Sequence, residues 1–315
     1  MKSLRITGVP EHFNLPWSRG IDKQPFLSEG VELIWIDESR GSGQMNQALR
    51  NDETDLALIL TESFIQDFQK GNPSKMIGYH IKSPLIWGVH VGGKSSINQI
   101  SDIQSPHFYI SRPGSGSNLM ALVLAERESW NAADLSFEVV SNLPGALEAY
   151  KKNADGIFLW EKFTTKPWVD SHELKRIGEV PSPWPCFSII ASDKALKEFD
   201  TWIFKLRDLV YQESQYLKAN PSQTISEISE KYSLKKEDVT LWFSQTDWAV
   251  TKEVSSDDLI KAMKKMLDLG IISEIPYASE FLRVDYLCYF LKPPREYLHK
   301  LLIPYLAHFQ WIILH

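Results

Sequence analysis

Two turns in this sequence combine glycine and serine immediately ahead of a helical period. Ser39-Arg40-Gly41-Ser42-Gly43-Gln44 follows a strand-like run ending in Asp37, and Ser111-Arg112-Pro113-Gly114-Ser115-Gly116-Ser117-Asn118 follows another. A helix amino terminus presents unpaired N–H groups and the positive end of the peptide dipoles, so such a turn suits an anion. Glycine lets a ligand approach the backbone, and serine adds hydroxyl donors. Because both turns stand at strand carboxyl ends, one in each half of an α/β region, they point to a shared binding cleft. Glu62 and Glu161 each end an apolar run and offer carboxylates to ligand amino groups or to salt bridges. Among the eleven tryptophans, Trp17, Trp87, Trp160 and Trp184 lie beside strand ends or polar turns. Indole walls there suit a planar or cationic molecule, and equally suit core packing. His12 sits in the first βα loop, either against ligand or in solvent.

Other chemistries lack their residues. The full Walker and Rossmann glycine patterns are absent, as is the Gly-x-Ser-x-Gly elbow, so the serines read as donors rather than nucleophiles. No His-Glu-x-x-His, Cys-x-x-Cys or calcium-loop spacing occurs, so neither a metal nor a cofactor is expected. Cys186 and Cys288 are the only cysteines and read as two reduced structural thiols. With 34 Lys plus Arg against 40 Asp plus Glu, the net charge is −6, and the basic residues are scattered. That balance argues against nucleic acid as a partner. No run approaches the roughly 18 apolar residues that would cross a bilayer, so no membrane insertion is expected. Met1-Lys2-Ser3-Leu4-Arg5-Ile6 runs directly into a strand-like segment without a secretory pattern, which predicts a cytoplasmic protein, or a periplasmic one if a leader is missing.

The elements that must position these residues are short apolar runs alternating with helical periods over the first 190 residues, the mark of βα units in largely parallel sheets. Strands are predicted at Leu4 to Thr7, Val31 to Ile36, Leu56 to Leu60, Met76 to Ile81, Leu85 to Val91, Phe108 to Ser111, Phe137 to Val140, Ile157 to Trp160 and Phe187 to Ala191. One plan occurs twice: a helix from Gly43 leads through Asp55 to a buried strand and Glu62, and a helix from Gly145 leads through Asp155 to a buried strand and Glu161. The repeat implies two similar α/β lobes, with the strands from Met76 to Val91 connecting them and a return near Pro181 to Phe187. Beyond residue 193 the spacing predicts helices at Ala195 to Lys218, Thr224 to Tyr232, Lys236 to Thr246 and Ser256 to Leu269. Ser233 and Ser255, each followed by acidic residues, are the expected caps of the last two. The aromatic segment from Leu287 to His315, broken by Pro293, Pro294 and Pro304, shows no period.

The ordered set Gly8-Val-Pro-Glu-His-Phe-Asn14, Gly41-Ser-Gly43, Asp55 to Glu62, Ser83-Pro-Leu-Ile-Trp87, Ser111-Arg-Pro-Gly-Ser-Gly-Ser117, Trp160-Glu-Lys-Phe-Thr-Thr165 and Pro183-Trp-Pro-Cys186 resembles the type II periplasmic-binding-protein superfamily. Within it the set is similar to the NMT1/THI5-like branch of receptors for sulfonates, nitrate and thiamine-pyrimidine precursors, and to a leaderless fungal subgroup. The resemblance implies an α/β fold of two lobes with hinge strands plus C-terminal helices. It divides the chain into lobe one, 1–84 with 187–286, lobe two, 85–186, and an atypical tail, 287–315. By loop position it implies ligand contacts at Asn14, Ser42, Gly43, Thr61, Glu62, Trp87, Ser115, Gly116, Ser117, Asn142, Trp160 and Glu161. Trp87 and Trp160 would flank the ligand and the glutamates would bond its donors. The expected function is non-catalytic capture of an anionic or planar heterocyclic metabolite in the cleft between the lobes. An ABC-transporter permease is the implied partner if the protein is exported. The alternatives are a lyase or precursor-synthesising enzyme using the same cleft, with Glu62, Glu161 or His12 as acid or base, and a cytosolic sensor. The cysteine cluster of the related pyrimidine-precursor synthase cannot be built from two cysteines.

Overall fold

The structure, a computed structural model, describes residues 1–283. Cys288 and the aromatic tail lie outside the described residues. The strands are β1 (Lys2–Gly8), β2 (Val31–Asp37), β3 (Leu56–Leu60), β4 (Ser74–Ile81), β5 (Ile86–Gly92), β6 (His107–Ile110), β7 (Ser136–Val139), β8 (Ile157–Glu161), β9 (Leu174–Pro181) and β10 (Phe187–Ser192). The helices are α1 (Leu15–Asp22), α2 (Ser42–Arg50), α3 (Thr61–Gln69), α4 (Gly116–Arg127), α5 (Leu143–Tyr150), α6 (Lys166–Asp170), α7 (Asp193–Glu198), α8 (Asp200–Ala219), α9 (Pro221–Lys231), α10 (Lys236–Gln245), α11 (Ser256–Asp268) and α12 (Ala278–Phe281).

The chain divides into two units, Met1–Ser83 with the chain from Phe187, and Pro84–Cys186. In the first unit the sheet order is β2-β1-β3-β10-β4. β1 runs parallel to β2 and β3, whereas β10 is antiparallel to both β3 and β4. In the second unit the order is β7-β6-β8-β5-β9, with β6 parallel to β7 and β8, and β5 antiparallel to β8 and β9. The sheets are therefore mixed rather than largely parallel. β5, which opens the second unit, and β10, to which the chain returns after it, run against the other strands of their sheets.

Burial explains why β3 and β10 read so plainly as strands: both are apolar on both faces, and Leu56, Ile59, Ile189 and Ile190 are fully enclosed. β9, Leu-Lys-Arg-Ile-Gly-Glu-Val-Pro, is an edge strand that buries Leu174, Ile177 and Val180 and leaves its charged residues outward. The second unit's core joins Tyr109, Phe158 and Leu174 of the sheet to Leu143, Ala146 and Ala149 of α5.

Side chains of α8 hold β4 from one face, and single bridges meet its outer edge. Arg207 Nη1 of α8 donates to the Ile77 carbonyl at 3.0 Å, and the Tyr211 hydroxyl of the same helix donates to the Tyr79 carbonyl at 2.9 Å. The amides of Ala249 and Arg283 donate to the carbonyls of His80 and Met76. Gly78 lies beneath Tyr211: a Cβ there would stand 2.2 Å from the phenolic oxygen. The single helix expected from Ala195 to Lys218 is instead two, α7 and α8, broken at Phe199, whose φ of −125° leaves the helical region. Ser255 caps α11 by accepting from the Asp258 amide, but α10 begins after Lys235, and Ser233 takes a left-handed φ of 54° instead of capping it.

Candidate functional site

In the first unit the parallel strands deliver their loops to one end of the sheet. The loop after β1 forms a short 3-10 turn, His12–Asn14, and leads into α1, where Pro16 stands in the first turn. Asn14 is buried, and both ends of its amide are engaged. Its Nδ2 donates to the Val9 carbonyl at 2.7 Å, and its Oδ1 lies 3.1 Å from His80 Nε2. Trp17 Nε1 donates to His80 Nδ1 at 3.4 Å, so the neutral imidazole carries its proton on Nε2 and gives it to Asn14. Burial of His80 lowers its pKa to about 3. Trp17, on α1, is thus core rather than a ligand wall.

α2 opens with Gly41 at φ 80°, a left-handed conformation that glycine adopts without strain. Ser42 accepts from the Leu60 amide at 3.0 Å, tying the start of α2 to the end of β3. Gly43 follows in the first turn. Thr61 and Glu62 are both buried at the start of α3, and Thr61 Oγ1 lies 2.8 Å from Ser188 Oγ. Glu62 therefore stands in a helix's first turn, two residues beyond the strand end. His12 is not solvated: it is buried between Phe13 and Trp242.

In the second unit the loop after β6 is braced by its own hydroxyls. Ser117 Oγ accepts from the Ser111 amide at 2.9 Å and lies 3.0 Å from both Ser111 Oγ and Ser115 Oγ. Ser115 caps α4 by accepting from the Asn118 amide, while Asn118 Oδ1 accepts from the Gly114 amide. With the hydroxyls spent on one another, the first-turn amides of Gly116 and Ser117 remain as donors facing away from the helix. Arg112 stands in this loop. It reaches solvent, partial desolvation lowers its pKa, and among the described residues no carboxylate offsets that loss.

Register separates the two indoles expected to flank a ligand. Trp87 lies opposite Glu161 across the β5–β8 pair, and Gly88 lies opposite Trp160. Side chains alternate along a strand, so Trp87 and Glu161 share one face while Trp160 takes the other. There Trp160 stacks on Phe158, with centroids 5.2 Å apart, and packs against the α5 core. Trp87 and Trp160 accordingly do not bracket one molecule. Trp87 is buried, and its Nε1–H has no hydrogen-bond partner among the described residues. Glu161 Oε2 accepts from the amides of Phe163 and Thr164 and from the Thr164 hydroxyl, at 2.9, 2.7 and 2.9 Å. Burial raises its carboxyl pKa against the pull of those bonds. It caps a turn, and one of its two oxygens is fully used. Asn142 is exposed and caps α5 through the Gly145 amide at 3.0 Å. Trp184 is buried.

Both units thus place helix amino termini at strand ends, as do proteins that hold small ligands there. Residues 87–180 match the family model described as Ca3427-like PBP. No curated protein matches the chain. Among solved structures, the Candida albicans CA3427 gene product, which exhibits the generic periplasmic-binding-protein fold, superposes with a TM-score of 0.81 at 25% identity, over 90% of this chain and 96% of its own. The chain has the periplasmic-binding-protein fold. The alkanesulfonate-binding protein SsuA from Xanthomonas axonopodis pv. citri, bound to MOPS, shares this fold with a TM-score of 0.74 at 11% identity, over 90% of this chain and 99% of its own. PhnD1 from Prochlorococcus marinus, in complex with methylphosphonate, gives 0.58 at 13%, over 86% and 99%.

Within this periplasmic-binding-protein fold, sequence reasoning passed over two residues. Arg112 was readable, being the one cation in a loop without an acidic neighbour. Trp35, on β2, was not: its ring lies so close to Gly8 that a Cβ there would be 2.4 Å from Cη2, and its Nε1 donates to Asp37 at 2.7 Å. No local pattern marks that approach.

Proposed function

We propose that this protein is a non-catalytic binder of a small molecule carrying an acidic group, held by Arg112 and the first turn of α4, and that its two units close on that ligand. The observation that carries the reading is Arg112, a guanidinium that has no acidic partner among the described residues and stands beside a helix amino terminus whose serines are already engaged. A guanidinium fork and outward amides match the oxygens of a sulfonate, phosphonate or carboxylate. The buried indole N–H of Trp87, without a hydrogen-bond partner among the described residues, supplies a neutral donor for the ligand's body. Binding that favours the closed form would draw the population toward it. The MOPS and methylphosphonate carried by two proteins of this fold support an acidic ligand class and provide probes.

Isothermal titration with MOPS, methanesulfonate and methylphosphonate tests the reading. At least one should bind, with Arg112→Ala weakening it tenfold or more, about 1.4 kcal/mol, and Arg112→Lys keeping part of the affinity. Absence of binding by all three, or an unchanged affinity in Arg112→Ala, would overturn it.

A further inference from the structure

α10 and the residues after it grip the loop that follows β1. Trp248 Nε1 donates to the Phe13 carbonyl at 2.7 Å, and Trp242 meets the His12 ring edge-to-face with centroids 4.3 Å apart and the Phe13 ring at 5.1 Å. Tyr232 closes another side of His12 at 6.1 Å. Inside this aromatic enclosure His12 and Trp242 are only 5% and 2% exposed, and His12 Nε2 and Trp242 Nε1 are both buried with no hydrogen-bond partner among the described residues. One such atom is a tolerable defect. Two on rings in edge-to-face contact, from distant parts of the chain, form a matched pair, because an indole N–H only donates and a neutral imidazole nitrogen without its proton only accepts.

We infer that His12 and Trp242 form a polar subsite for a single uncharged hydroxyl, which accepts from Trp242 Nε1–H and donates to His12 Nε2. A hydroxyl is the smallest group that does both. An ion is disfavoured by the surrounding rings, and burial, which brings the His12 pKa down to about 3, keeps the imidazole neutral. The same chemistry has two sources, a resident water or the hydroxyl of a molecule bound at the β1 loop. This subsite is separate from the anion site proposed at α4, and neither depends on the other.

Proton–nitrogen NMR of the full chain tests it, with Trp242→Phe assigning the indole signal. A resident water gives a cross-peak between water and the Trp242 Nε1 proton in buffer alone, lost in His12→Phe. An open hydroxyl subsite gives no such cross-peak, but methanol shifts that proton downfield saturably, and His12→Phe weakens the response at least tenfold. His12→Gln, which keeps an acceptor, should retain whichever signal the natural chain shows, and stands as the comparison if His12→Phe does not fold. The inference fails if neither signal exists, as for an indole N–H resting on the imidazole face, or if His12→Phe leaves the signal unchanged.

Discussion

Asn14 shows how far a polar residue's neighbourhood can lie from its neighbourhood in sequence. It follows a strand in an α/β chain and reads as a ligand contact, yet its amide is held between the Val9 carbonyl and a histidine 66 positions away. Asn14→Ala would leave His80 Nε2–H without its buried acceptor, and urea unfolding should show a loss of about 1–3 kcal/mol. Ser42 is similar, its hydroxyl serving an amide 18 positions on. Loop position was legible in the sequence; the partners were not, since they are brought together only by the sheet. The buried histidines also set an acid limit. His12, His80 and His90 are held at about 3, 3 and 4 by burial. An imidazole with its pKa depressed by folding takes up fewer protons folded than unfolded, so its contribution is complete above about 6.5 and is lost as pH falls toward 3 to 4. Glu161, whose folded pKa is raised, acts in the opposite direction and offsets part of that loss. Stability measured from pH 7 to 4 should therefore fall with proton uptake. Replacing His90 with Gln should flatten the decline, and an unchanged pH slope would exclude His90 as a contributor.

Among elements, α8 has the widest structural role. Its Arg207 and Tyr211 donate to the Ile77 and Tyr79 carbonyls and so pin the helix across the face of β4 at Gly78. Gly78→Ala would drive a methyl into the Tyr211 hydroxyl, and thermal or urea unfolding should register about 1–3 kcal/mol of overpacking. Adding Tyr211→Phe should return part of it; equal losses in the single and double variants would show that the hydroxyl is not the obstacle. The bracing of the loop after β6 predicts that Ser117→Ala, which removes the acceptor for the Ser111 amide, weakens the anion binding proposed at α4 by loosening the loop while the fold persists by circular dichroism. Elements that bury apolar residues on both faces, β3 and β10, were plain in the sequence. β9 was missed because Lys175, Arg176 and Glu179 break up its apolar residues, and only pairing with β5 makes it a strand. The break at Phe199 was hidden for a related reason: apolar residues keep helical spacing on both sides of it, and only the backbone turns.

The two units follow one plan: β2-β1-β3-β10-β4 and β7-β6-β8-β5-β9 match strand for strand, with an antiparallel strand in the fourth place of each. The helix, aspartate, strand and glutamate repeat in the sequence reports that plan. Its two aspartates nevertheless have different duties, Asp55 holding Arg5 and Asp155 accepting from Ser95. If the units close on an acidic ligand, solution scattering with saturating MOPS should show a smaller radius of gyration than the free protein. A probe that binds by calorimetry without compaction would separate ligand capture from closure. The strand order also sets a timetable for the chain as it is made. β3 and β4 do not pair with each other; β10 lies between them, and it is encoded after the whole of Pro84–Cys186. At translation speeds of roughly 5–20 residues per second, β4 waits about 5–20 seconds for β10, its one full-length neighbour among the described residues. Ribosome-bound chains ending before Phe187 should therefore expose β4 to protease, whereas chains in which Phe187–Ser192 has emerged should protect it. The second unit, contiguous in sequence, has every strand it needs before the first can finish its own sheet.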